Sequence, residues 1–76
     1  MITVKLYGLL RIESGIKEKQ LEAASVREVL EALAECGIPA KELKGCVVLV
    51  NGTAANRRSK LTDGDAVVLM SPVAGG

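Results

Sequence analysis

Cys46-Val47-Val48-Leu49-Val50-Asn51-Gly52 is the stretch on which the fold turns. An apolar run without alternation reads as a strand covered on both faces. Asn51-Gly52 closes it with the residue pair that a type I′ turn prefers, because both central positions need positive φ. The chain therefore reverses here. Residues 53–60 are polar and weakly patterned, Leu61 is the expected anchor into the core, and Asp63-Gly64-Asp65 supplies the next turn. The last strand then covers residues 66–70 or 66–71.

Upstream of the hairpin, Ile2, Val4 and Leu6 alternate with Thr3, Lys5 and Tyr7, the period of a strand with one face in a core. Residues 8–15 form a connection with a helical turn, and residues 16–21 return as a second strand whose Lys17 and Lys19 suit a sheet edge. Ser25 followed by Glu28 is a capping-box pair that opens a helix. Val26, Val29, Leu30 and Leu33 fall on one stripe of that helix, and Gly37 with Pro39 stops it. The order strand, strand, helix, strand, strand predicts an α+β domain with one main helix packed across a sheet. One helix covers one face only, yet Val47 and Leu49 oppose Val48 and Val50, and Val67 and Leu69 oppose Val68 and Met70. Part of the second face is left apolar and uncovered, the mark of an interface.

Composition narrows the function. The chain has 76 residues, 49% hydrophobic and 25% charged, enough for one small core. A net charge of +1 and a single aromatic residue, Tyr7, argue against nucleic acid as a partner. No apolar run is long enough to span a membrane, and the sequence enters a strand pattern at once, with no signal peptide. A cytoplasmic protein is expected. Cys36 and Cys46 match no zinc or disulfide spacing and read as small buried hydrophobes. Arg57, Arg58 and Lys60 form the one compact basic patch, read as a solvated loop in preference to a docking point for an acidic partner.

With no histidine, no phosphate-binding glycine loop and no metal-ligand cluster, the chain by itself is not expected to be a catalyst. Glu13, Glu18 and Glu22, and likewise Glu28, Glu31 and Glu35, read as solvated faces. What remains is the end, Ser71-Pro72-Val73-Ala74-Gly75-Gly76. Two glycines make the narrowest thread a chain can offer to a deep site. An α-carboxyl group with a pKa of about 3.5 is ionised and a poor electrophile, so it needs activation. Adenylation by a partner that holds ATP and Mg²⁺ is the economical route, followed by attack of sulfur or of an amine.

Four pieces in order carry a family resemblance: Tyr7-Gly8-Leu9-Leu10-Arg11 at the end of the opening strand, Val50-Asn51-Gly52, Leu61-Thr62-Asp63-Gly64-Asp65, and the closing Ser71 to Gly76 segment. Over nearly its whole length the chain resembles the ubiquitin-related MoaD/ThiS sulfur carriers, and most the MoaD type, the small subunit of molybdopterin synthase. The resemblance implies a β-grasp domain over residues 1–76, its mixed sheet having the first and last strands parallel at the centre. Residues 71–76 would be an extended reactive tail. It implies that Gly76 is adenylated by a ubiquitin-activating-type (MoeB/ThiF-like) enzyme, becomes a thiocarboxylate and gives sulfur to a pterin precursor on a MoaE-like large subunit. Gly75 would keep the passage narrow, and Met70, Ser71, Pro72, Val73 and Ala74 would contact the partner. No cofactor would be bound by this chain; ATP and Mg²⁺ would belong to the activating enzyme. Three alternatives stay open: a ThiS-type carrier for thiamine synthesis, against which the long 8–15 connection speaks, a protein modifier joined through Gly76 to lysines, and a plain interaction domain.

Overall fold

A computed structural model describes residues 1–71. The reactive tail expected at Pro72, Val73, Ala74, Gly75 and Gly76 lies outside the described residues. Five strands form one sheet: β1 (Ile2–Tyr7), β2 (Glu18–Leu21), β3 (Val47–Val50), β4 (Thr53–Ala55) and β5 (Ala66–Met70), in the order β2-β1-β5-β3-β4. β1 and β5 run parallel at its centre and the other neighbours are antiparallel. This mixed sheet with its helices is the β-grasp fold.

Sequence chemistry explains the order. The central β5 has Val67 and Leu69 fully buried on one face, with Val68 and Met70 half-buried on the other. The edge strands are polar or small, Glu-Lys-Gln-Leu in β2 and Thr-Ala-Ala in β4, as suits strands with an unpaired side. β2 begins at Glu18, two residues later than the pattern predicts: Lys17 still accepts a backbone hydrogen bond from Leu6, and Ile16 turns in to pack on the core.

Three helices flank the sheet: α1 (Leu9–Ser14), α2 (Val26–Glu35) and α3 (Ala40–Gly45). The whole predicted stripe of α2, Val26, Val29, Leu30 and Leu33, is buried among Ile2, Val4, Leu6, Val48, Val67 and Leu69. Ser25 caps α2 as expected, its hydroxyl accepting the Glu28 N–H at 3.4 Å. Glu28, however, reaches back to the Ala24 N–H at 3.1 Å and not to that of Ser25. At the other end Gly37, at φ 103, lets Ile38 donate to Leu33 and itself donates to Ala34. That pair of bonds is a Schellman stop, and it delivers Ile38 into the core. α3 and β4 are absent from the sequence reading. α3 offers one buried residue, Leu43, and β4 none, so neither carries a periodic signal.

The hairpin turn has Asn51 at φ 51 and Gly52 at φ 83, the two positive values that type I′ demands. Asn51 also ties two turns together. Its side-chain carbonyl accepts from the Ala66 N–H at 2.9 Å, and its amide donates to Asp65 at 3.0 Å. Asp65 further accepts from the Thr62 N–H at 2.9 Å. Hydrogen bonds from Thr62 and Asn51 hold the Asp65 carboxyl below its ordinary value. A carboxylate with a lower pKa folded than unfolded contributes stability at pH values above the unfolded pKa, and that stability is lost as pH falls through the folded one. Asp65→Asn is therefore expected to flatten the acid side of the melting-temperature profile below about pH 4. An unchanged acid slope in thermal denaturation from pH 7 to pH 2 contradicts this.

Candidate functional site

The candidate site is the place where the chain leaves the sheet. β5 ends at Met70, which lies in register between Tyr7 of β1 and Val47 of β3. One row back, Val68 lies between Lys5 and Leu49. Since residues paired across a sheet share a face, Tyr7, Met70, Val47, Val68 and Leu49 make one apolar patch on the side away from the helices. Tyr7 is 40% and Val47 43% exposed. The uncovered second face expected from the sequence is thus present, and it adjoins the root of the tail. Beside it α1 presents Leu9, 53% exposed, and Ile12, 75% exposed.

Of the residues assigned to partner contact, Met70 and Ser71 are placed by the structure, both half-buried at this root. Pro72, Val73, Ala74, Gly75 and Gly76 lie outside the described residues. Ser71 has a specific role that the sequence does not reveal: its hydroxyl accepts the Leu10 N–H at 2.9 Å, across 61 residues. Leu9, Lys41, Glu42, Gly45 and Ser71 line a concavity of about 210 Å³ next to it.

Elsewhere the structure revises the sequence reading. Cys36 is exposed at the end of α2, contrary to the buried reading, whereas Cys46 is half-buried and packs against the core. The Cys36 position falls on the C-cap, beyond the buried stripe. Cys46 donates its thiol to the Leu43 carbonyl at 3.0 Å, and burial pushes that thiol up in pKa. Glu13, Glu18 and Glu22 are all exposed, as the solvated reading expects. Glu13 also faces Glu42 of α3 across a concavity that Ser14, Ile38 and Pro39 line, and the side-chain interaction with Glu13 raises the pKa of Glu42. Arg57 and Arg58 join Arg27 and Ser25 around a shallow concavity of about 460 Å³, fixed by hydrogen bonds from the Val26 and Arg27 N–H groups to Ser59 and Arg57. Arg27 also pairs with Glu31 at 3.5 Å. Among the described residues no three His, Cys, Asp or Glu side chains come together to hold a metal, and no helix is long and apolar enough to cross a membrane.

Comparison with known proteins agrees with this arrangement. The model of the ThiS family matches residues 4–76. The structure of SAMP1 from Haloferax volcanii superposes with a TM-score of 0.81 at 28% identity, over 99% of this chain and 98% of that one. A chain of the complex of subunits 1 and 2 of molybdopterin-converting factor from Helicobacter pylori 26695 gives 0.75 at 25% identity, over 99% and 97%. The BexX/CysO complex of Amycolatopsis orientalis gives 0.76 at 22% identity over all of both chains, a likeness of fold. No match to a curated protein accompanies these.

Proposed function

Because this chain belongs to the ThiS family of ubiquitin-like sulfur carriers and modifiers, we propose that it carries sulfur on Gly76 and delivers it as the small subunit of molybdopterin synthase. The observation that carries the proposal is that the family match runs through to Gly76, so the diglycine belongs to the matched pattern.

The chemistry is a two-step exchange of oxygen for sulfur. A carboxylate oxygen of Gly76 attacks the α-phosphorus of ATP on an activating enzyme of the ubiquitin-activating type, and pyrophosphate leaves with Mg²⁺ offsetting its charge. A sulfide equivalent then attacks the acyl carbon of the adenylate, AMP leaves, and a thiocarboxylate remains. At the large subunit the sulfur passes to a pterin precursor and water restores the carboxylate. This chain's share is to present the thread, with Gly75 keeping it narrow and Pro72, Val73 and Ala74 lining the entrance. The apolar patch of Tyr7, Val47 and Met70 beside the root is the surface on which either partner seats. The Helicobacter pylori protein most pertinent here is itself a complex of two subunits, which supports a partner of that kind.

Val47→Asp puts a charge in the middle of that patch at a position 43% exposed. It is expected to weaken complex formation about tenfold or more, since an unpaired charge buried at an interface costs several kcal/mol. Titration calorimetry against the large subunit reads it, and equal affinity removes the patch from the interface.

A modifier joined to lysines is the second reading, favoured by the 28% identity with SAMP1, a small archaeal modifier protein. Intact mass measurement of the protein isolated from cells, with fragmentation of its C-terminus, separates the two. One oxygen replaced by sulfur at Gly76 supports the carrier. An unmodified terminus together with Gly-Gly-lysine isopeptides on other proteins supports the modifier.

A further inference from the structure

We propose that Ser71 is a positioning residue: its hydroxyl caps α1 from the far end of the chain and so fixes the direction in which the chain leaves β5. The inference rests on the reading of residues 72–76 as the reactive tail, but its physical part does not.

A short helix needs its first N–H groups satisfied, and the usual device is a Ser, Thr, Asp or Asn at the N-cap whose side chain accepts from the second or third helical N–H. α1 has no such residue. Its N-cap is Gly8, at φ 67 and ψ −144, and no side chain of the cap bonds the helix. That backbone conformation is one that L side chains rarely adopt. Space is not the obstacle, since a Cβ on Gly8 would meet Ser71 at 3.6 Å, an ordinary contact. The turn between β1 and α1 thus excludes a self-capping residue, and the cap comes from elsewhere. The Leu10 N–H, the second of the helix, donates to Ser71 Oγ at 2.9 Å.

The same bond acts on Ser71. Met70 is the last residue of β5, held by its pairing with Tyr7 and Val47, and Ser71 follows outside the ladder. With its hydroxyl fixed on α1, Ser71 is held on the side where Leu9, Lys41, Glu42 and Gly45 surround it. Leu10 in turn is fully buried in the core. The root of the tail is therefore anchored to the core through one side-chain oxygen. A partner that reads both the exposed Leu9 and Ile12 of α1 and the thread meets them in one fixed relation.

Ser71→Ala and Ser71→Thr in the full chain test this without any partner. In Ser71→Ala, hydrogen exchange at the Leu10 amide is expected to quicken about fivefold, the worth of one hydrogen bond. The order parameter of the residue 71 amide is expected to fall from about 0.85 toward about 0.6. The amide chemical shifts of the buried Val4 and Leu69 stay as in the parent, which shows the fold intact, and Ser71→Thr, keeping the oxygen, restores both readouts. An unchanged residue 71 order parameter in Ser71→Ala overturns the proposal. With the activating enzyme, Ser71→Ala is expected to raise KM about fivefold with little change in kcat. If the parent protein is not adenylated at all, the tail chemistry fails while the exchange and relaxation results still decide the role of Ser71.

Discussion

Replacing Gly75 with leucine, or adding one residue after Gly76, is expected to abolish adenylation, with kcat/KM falling at least about 100-fold, because a displacement near 1 Å at a reacting centre has that effect. A Cβ and its branches widen a thread that must pass to a phosphorus atom, and an added residue carries the carboxylate past it. The melting temperature is expected to stay within about 2 °C of the parent value, as for substitutions that touch no buried feature. Among the described residues the buried core runs from Ile2 to Leu69. Adenylation followed by pyrophosphate release, beside thermal unfolding by circular dichroism, reads both halves. Full activity of Gly75→Leu ends the narrow-thread reading, and a large loss of stability shows instead that the tail packs on the body.

Leu69→Ala is expected to act in the opposite sense, on the fold first. Leu69 is wholly buried and lies in register between Leu6 of β1 and Val48 of β3, under the stripe of α2. A truncation at such a site costs about 2–5 kcal/mol. At about 4–8 °C per kcal/mol for a domain of this size, the melting temperature falls by roughly 8–40 °C. So small a domain stands close to its stability threshold, and the variant is expected to be partly unfolded at 37 °C. Ile12→Ala, 75% exposed, is the matched control, with a change of about 0.5 kcal/mol or less. A fall below 5 °C for Leu69→Ala, on the same scale, contradicts the central place given to β5.

What the sequence discloses follows how far each element extends its own signal. α2 is legible twice over, from the Val26-Val29-Leu30-Leu33 stripe and from Ser25 with Glu28, and every residue of the stripe is buried. The hairpin is legible from Asn51-Gly52 alone, because only a few residues accept two successive positive φ values. The parallel pairing of β1 with β5 came with the family resemblance, since nothing local in either strand states its partner. α3 stayed hidden because six residues with a single buried Leu43 give no period to detect, and β4 because Thr53, Ala54 and Ala55 lack a large apolar residue. Residue type favours burial of both cysteines, whereas helix phase decides the exposure of Cys36. At the site, the apolar row of Tyr7, Met70 and Val47 follows from strand alternation once the register is known. The bond from Leu10 to Ser71 joins positions too far apart in the chain for any motif to connect them.

The central place of β5 has a consequence for how the protein is made. A ribosome releases β5 after every other strand of this sheet, yet β5 is the one on which both halves of the sheet depend. Until it emerges, β1 has only β2 and β3 has only β4, and two-stranded hairpins of this kind are marginal in water. Closing the sheet then requires pairing between distant ends of the chain, the slow class of folding event. A nascent chain interrupted before residue 66 therefore has no stable domain to offer and is left to proteases. Completion of the sheet is in this way a check on translation: a partner enzyme that recognises the folded body meets only chains that have already been synthesised to the threshold of their own tail.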